Sequence, residues 1–143
     1  MKFFIKSLPV VLVAFMFNCH KTETNNNSIL AGTWTRSFTT YSGCKDAGNN
    51  TTVEHVCPVT DTSGSCDKYT YNSNGTFKIE SSYSNGSNYT VNGTYSIHGN
   101  QATGTVNGYT NTVTFTVSAD KKTLTTTYTD SSSGCLVTDI YNK

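Results

Sequence analysis

An all-β fold is predicted for most of this 143-residue chain: an eight-stranded antiparallel up-and-down barrel that follows a signal peptide and a tether. Three observations carry that prediction. Apolar and polar residues alternate with period two in run after run, as where Val113, Phe115 and Val117 stand between Thr112, Thr114 and Thr116. That is the pattern of a strand with one buried face. Turn pairs such as Asn74-Gly75, Asn85-Gly86, Gly99-Asn100, Asn107-Gly108, Asp120-Lys121 and Ser133-Gly134 separate the runs at hairpin spacing. No window carries the 3, 4, 7 apolar spacing of a helix, and β-branched Thr and Val pervade the chain. Composition agrees, since 26 Thr favour strands while 16 Ser and 15 Asn favour the turns between them.

Residues 1–18 read as a lipoprotein signal peptide. Lys2 and Lys6 give a positive start, and Leu8 to Phe17 form an apolar run too short to span a bilayer comfortably. No pair of small residues for ordinary cleavage lies between Phe15 and Cys19. Instead Met16-Phe17-Asn18-Cys19 resembles a loose bacterial lipobox of the spirochaete and Bacteroidetes kind, with Phe17 and Asn18 departing from the common Leu-small-Gly/Ala pattern. The alternative is an ordinary secreted protein with a chance cysteine. The lipobox resemblance implies acyl chains on Cys19 as the membrane anchor, and a bacterial outer-membrane location with the leaflet left open. Residues 19–29 are polar, lack apolar periodicity and read as a flexible tether.

The barrel domain is expected over residues 30–143. Its strands are predicted at 32–40, 68–72, 76–84, 89–98, 101–107, 110–118, 123–129 and 135–141. Short links make consecutive strands antiparallel neighbours, and closure removes the two exposed edges. Most of these strands are shorter than the roughly 9–11 residues a membrane-spanning strand needs, so the aromatic rows are taken as the interior. Those rows pair Trp34 with Phe38, Tyr69 with Tyr71, Phe77 with Ile79, and Leu136 with Ile140. The structural core is expected to include Trp34, Tyr69, Phe77, Tyr95 and Phe115. Such bulk tends to fill an eight-stranded lumen, so little or no deep pocket is predicted. A closed, drug-sized cavity of about 300 Å³ or more would instead favour ligand carriage.

Several short motifs occur in order along this domain. Gly32-Thr33-Trp34 opens the first strand. Tyr69-x-Tyr71-x3-Gly75-Thr76-Phe77 follows, then Gly93-Thr94-Tyr95-Ser96-Ile97-x-Gly99-Asn100, and finally Ile140-Tyr141-Asn142-Lys143. The set resembles the lipocalin-like domains of bacterial lipoproteins, in which Gly-x-Trp opens the barrel. Lipocalins often pack an arginine from the last strand over that tryptophan; here the only arginine is Arg36, two residues after Trp34.

Five cysteines are present. With Cys19 assigned to the lipid, Cys44, Cys57, Cys66 and Cys135 make an even number in an exported chain, which favours two disulfides. All four fall at the rim where the first strand ends and the last begins. Cys57–Cys66 with Cys44–Cys135 is slightly preferred over Cys44–Cys66 with Cys57–Cys135. A metal site of Cys57, Cys66 and His55 is the alternative, but its spacing matches no familiar zinc pattern, and no metal or cofactor is expected. The long link 41–67 holds Glu54, His55 and Asp61, the densest mix of titratable groups, and is the expected binding surface.

No Gly-x-Ser-x-Gly elbow, phosphate loop or carboxylate pair is present. The chain is therefore read as non-catalytic, with no catalytic residues nominated. Ten Lys and Arg against nine Asp and Glu give nothing to attract nucleic acid. Two readings of function remain open: a monomeric barrel holding a small apolar ligand, or a filled barrel that binds a protein partner as an inhibitor or adhesin. An enzyme is the least favoured.

Overall fold

The computed structural model describes residues 26–60 and 64–143. The signal peptide, Cys19, most of the tether and Asp61 lie outside them. Nine strands follow one another: β1 Gly32–Ser42, β2 Thr51–Glu54, β3 Ser65–Tyr71, β4 Thr76–Tyr83, β5 Asn88–His98, β6 Gln101–Val106, β7 Tyr109–Val117, β8 Thr123–Thr129 and β9 Leu136–Asn142. Two single-turn 3-10 helices, Asn27–Ile29 and Ala47–Asn49, are the only helical segments among the described residues.

Every neighbour along β3 to β9 is antiparallel, and β1 pairs with both β3 and β9, which closes an eight-stranded barrel. All six turn pairs named above fall in the hairpin links. The β6–β7 link shows why the residue types are needed. Asn107 and Gly108 both have positive φ, 49° and 82°, the requirement of a two-residue turn that matches strand twist.

β2 is absent from the sequence-based reading and lies within the long link. It adds to the upper half of β1, from Phe38↔Glu54 to Tyr41↔Thr51, while β3 takes the lower half from Gly32↔Tyr71 to Thr35↔Lys68. All four of its residues are exposed, so it has no apolar alternation by which to be recognised.

Two inward rows differ from expectation. The β1–β9 register shifts between Arg36 and Phe38. This β-bulge inserts one residue and reverses the side-chain parity beyond it. Trp34 is fully buried, but Phe38 is 38% exposed and Thr39 is the buried residue. On β9 the inward row is Val137, Asp139 and Tyr141, while Leu136 is 47% exposed. The more apolar row was chosen from sequence; the true one carries an aspartate, whose burial β1 makes tolerable.

The core gathers Leu30, Trp34, Phe77, Tyr95, Ile97, Phe115, Leu124 and Tyr141, with Tyr69, Tyr71 and Ile79 packed partly buried against it. The end nearest the tether is closed. The Trp34 indole N–H donates to the Leu30 carbonyl at 2.8 Å, and the Tyr95 hydroxyl is shared between the carbonyls of Asn27 and Asn72, 2.8 Å from each. Lys143, just past β9, sets its Nζ 4.5 Å from the Trp34 ring centroid, so a lysine supplies the cation over the tryptophan.

Candidate functional site

The barrel interior has two chemically different halves. Inward rows of β3 to β7 border a cavity of about 350 Å³, with Tyr71, Phe77 and Tyr95 toward its closed end, Ile79, Ala102 and Val113 along its wall, and Tyr109 at its mouth. Space survives despite the aromatic content because three inward positions carry almost no side chain: Gly93, Ala102 and Gly104. The Phe77 ring fills the place of a side chain at Gly93, where an added Cβ would stand 2.6 Å from Phe77 Cζ. At Gly104 it would only touch that ring, at 3.6 Å, so volume is left there. The expectation of little or no deep pocket is thus corrected.

The opposite half, on β1, β3, β4 and β9, holds a polar network. Arg36 is ion-paired with Asp67, and its Nη1 lies 3.8 Å from Asp139 Oδ1. Ser81 donates to Asp67. Thr39 Oγ1 donates to Asp139 Oδ1 at 2.5 Å and lies 2.9 Å from His55 Nε2; His55 Nδ1 is 3.1 Å from Ser65 Oγ. Burial works against the Arg36 charge, but the phenol of Tyr69 and the carboxylates of Asp67 and Asp139 outweigh it and raise its pKa. Burial, then the nearby Arg36, holds His55 below its ordinary value and keeps it neutral. Burial raises the Tyr69 phenol.

This placement corrects the expected loop surface. His55 faces inward, because β2 leads it across the gap where β1 parts from β3 and its backbone N–H bonds to the Ser37 carbonyl at 2.8 Å. Glu54 is exposed, so the two do not form one outward surface.

The cysteines pair Cys44–Cys135, at the rim, and Cys57–Cys66. Cys66 stands opposite Ser82 on the outer face of the wall, the other side from the Asp67–Ser81 pair. The second bridge therefore straps the link to the outside of the barrel and does not hold it over the mouth. It also consumes both thiols of the alternative metal site, and the His55 nitrogens face Thr39 and Ser65. Among the described residues no group of His, Cys, Asp and Glu is arranged to hold a metal ion.

Sequence reasoning passed over Arg36, Asp67 and Asp139 as a unit. A signal existed: Asp67 shares parity with Tyr69 and Tyr71, and Asp139 with Val137 and Tyr141. The small inward residues at 93, 102 and 104 were likewise the sign of unfilled volume.

No protein-family model matches the chain, and no curated protein matches it. Among solved structures, it is similar to a lipocalin-like protein from Bacteroides uniformis, with a TM-score of 0.56 and 18% identity over 80% of this chain and 98% of that one. It also aligns with lobster apocrustacyanin A1 at a TM-score of 0.44 and 13% identity, over 85% of this chain and 64% of that one; a likeness this distant carries no argument. At such identity the first likeness shows the fold alone. The barrel is lipocalin-like.

Proposed function

We propose that this barrel is a non-catalytic carrier that holds a small apolar ligand in its lumen, anchored to a bacterial outer membrane by acyl chains on Cys19. The cavity of about 350 Å³ carries the reading. It falls within the roughly 300–1,000 Å³ usual for ligand sites, and its walls are mainly apolar with a few polar groups. The lipobox-like tetrapeptide and the polar segment after it support the anchor.

Native mass spectrometry of the mature protein from its own host tests both parts. The expected result is an acylated Cys19, two disulfides and a retained small molecule. A bare chain that also takes up no isopropylnaphthalene would instead favour the filled-barrel interaction protein. Cys19→Ala should move the protein from the detergent phase to the aqueous phase; partitioning equal to wild type would remove the anchor.

One observation favours a protein partner as the second reading. Tyr83 and Tyr89 meet edge-to-face at 5.7 Å at the tip of the β4–β5 hairpin, and Tyr109 on the same rim is 85% exposed. Exposed tyrosines of this kind are frequent anchors of protein interfaces.

A further inference from the structure

The aromatic groups at the closed end of the cavity differ in how their polar atoms are used. The Trp34 N–H is taken by the Leu30 carbonyl, and the Tyr95 hydroxyl by the carbonyls of Asn27 and Asn72. Tyr71, at the end of β3, borders the same cavity. Its ring is held in place, edge-to-face with Tyr95 at 5.0 Å and tilted against Phe77 at 5.9 Å. Among the described residues its hydroxyl forms no hydrogen bond.

From this geometry we infer that the lumen selects a neutral apolar ligand bearing one hydrogen-bond acceptor, a ketone, aldehyde or ester, which accepts from the Tyr71 hydroxyl. The inference rests on the carrier reading above.

Three considerations narrow the ligand to that class. Tyr71 borders the cavity and its hydroxyl has no protein partner among the described residues, so an occupant that supplies an acceptor gains a hydrogen bond that a plain hydrocarbon cannot make. Water that enters the cavity can accept from this hydroxyl, so an occupant that displaces it from the apolar walls must replace that hydrogen bond or lose affinity. A carboxylate is a poor occupant too. The interior cation, Arg36, is committed to Asp67 and Asp139 in the other half, and an anion beside Tyr71 would be buried unpaired. Burial raises the Tyr71 phenol well above its ordinary value, so it remains a donor across the physiological range.

Two probes of equal heavy-atom count separate the alternatives: methyl naphthyl ketone and isopropylnaphthalene. Calorimetric titration of each into wild type and Tyr71→Phe gives a four-way comparison. The substitution is expected to weaken the ketone about five- to tenfold, the factor of a neutral hydrogen bond, and to leave the hydrocarbon unchanged or slightly tighter. The hydrocarbon is also the control for folding, since a damaged barrel loses both. An equal effect on the two probes, or none on either, would falsify the role of Tyr71 while leaving the carrier reading intact. If neither probe binds wild type, the carrier reading falls and this inference falls with it.

Discussion

Thr39 on β1 donates its hydroxyl hydrogen to Asp139 on β9 across the seam that closes the barrel, at 2.5 Å. With that hydrogen committed, the Thr39 oxygen can only accept from His55, 2.9 Å away. The network thereby assigns the imidazole proton to Nε2 and leaves Nδ1 to accept from Ser65, 3.1 Å away.

This arrangement predicts a pH dependence. In the folded chain His55 lies below the ordinary value of 6.5 because of its burial and then Arg36. Below that value the unfolded chain binds the proton more readily, so stability falls as pH drops from 6.5 toward the folded pKa and is fully present above 6.5. Urea midpoints measured from pH 8 to about 5 should fall more steeply for wild type than for His55→Gln. Parallel curves would mean that His55 titrates alike in both states.

Arg36→Met should cost about 3–5 kcal/mol at neutral pH, because Asp67 and Asp139 would remain inside the barrel without their cation. Arg36→Lys should recover only part of this, since a point charge cannot reproduce the planar guanidinium between two carboxylates. Chemical denaturation checks both; a loss under 1 kcal/mol for Arg36→Met would show the carboxylates reaching water unaided.

The two small residues beside Phe77 should respond differently. A Cβ at Gly93 would stand 2.5 Å from the Thr105 carbonyl oxygen, and backbone cannot step aside, so Gly93→Ala should cost about 1–3 kcal/mol. Gly104→Leu meets only ordinary contacts near its Cβ and projects into the cavity. It should cost less stability yet weaken isopropylnaphthalene more than about tenfold, since a filled cavity excludes the probe. Titration and thermal melts of both variants decide whether packing and cavity are separable.

Trp34→Ala should lose about 3–5 kcal/mol, as for other fully buried aromatics. The indole also holds Leu30 over the closed end and stacks under Lys143. Lys143→Ala should cost far less, about 0.5–1 kcal/mol for an exposed cation over a ring. Urea unfolding followed by circular dichroism suits both, since one variant lacks the fluorophore.

Removing each bridge should cost more the longer the chain it closes, with the logarithm of that length. Cys44–Cys135 spans 91 residues and Cys57–Cys66 spans 9. Loop-closure entropy then gives about 4–5 and about 2–3 kcal/mol respectively. Paired serine variants of each bridge, compared at one pH, test the ordering.

Much of the architecture is legible in the sequence because strands with one buried face advertise themselves. Phe77 and Ile79, Val113 to Val117, and Leu124 to Tyr128 all point where their parity says. Failure comes where a polar residue takes an inward position. Asp67 and Asp139 look like surface residues until Arg36 is placed between them, and that placement depends on strands far apart in the chain. The bulge beyond Arg36 has no local signal in Ser37. It is visible only in the register with β9, which sequence periodicity on β1 alone does not contain. The cavity was concealed for a related reason: the list of large inward residues says how much volume is filled, while Gly93, Ala102 and Gly104 say how much is not.

The seam between the first and last barrel strands has a kinetic consequence. Ser37 and Ile140, bonded across it, are 103 residues apart, and Thr39 and Asp139 are 100 apart. Hairpins along β3 to β9 can zip locally, but the closing contacts must wait for almost the whole domain to be ordered, and such distant pairings are slow to form. Cys44–Cys135 spans this same seam. A chain oxidised there before it collapses already holds β1 and β9 together, so refolding from the oxidised unfolded state should outpace refolding from the reduced one. Export into an oxidising compartment would then shorten the search for closure as well as lock the finished barrel.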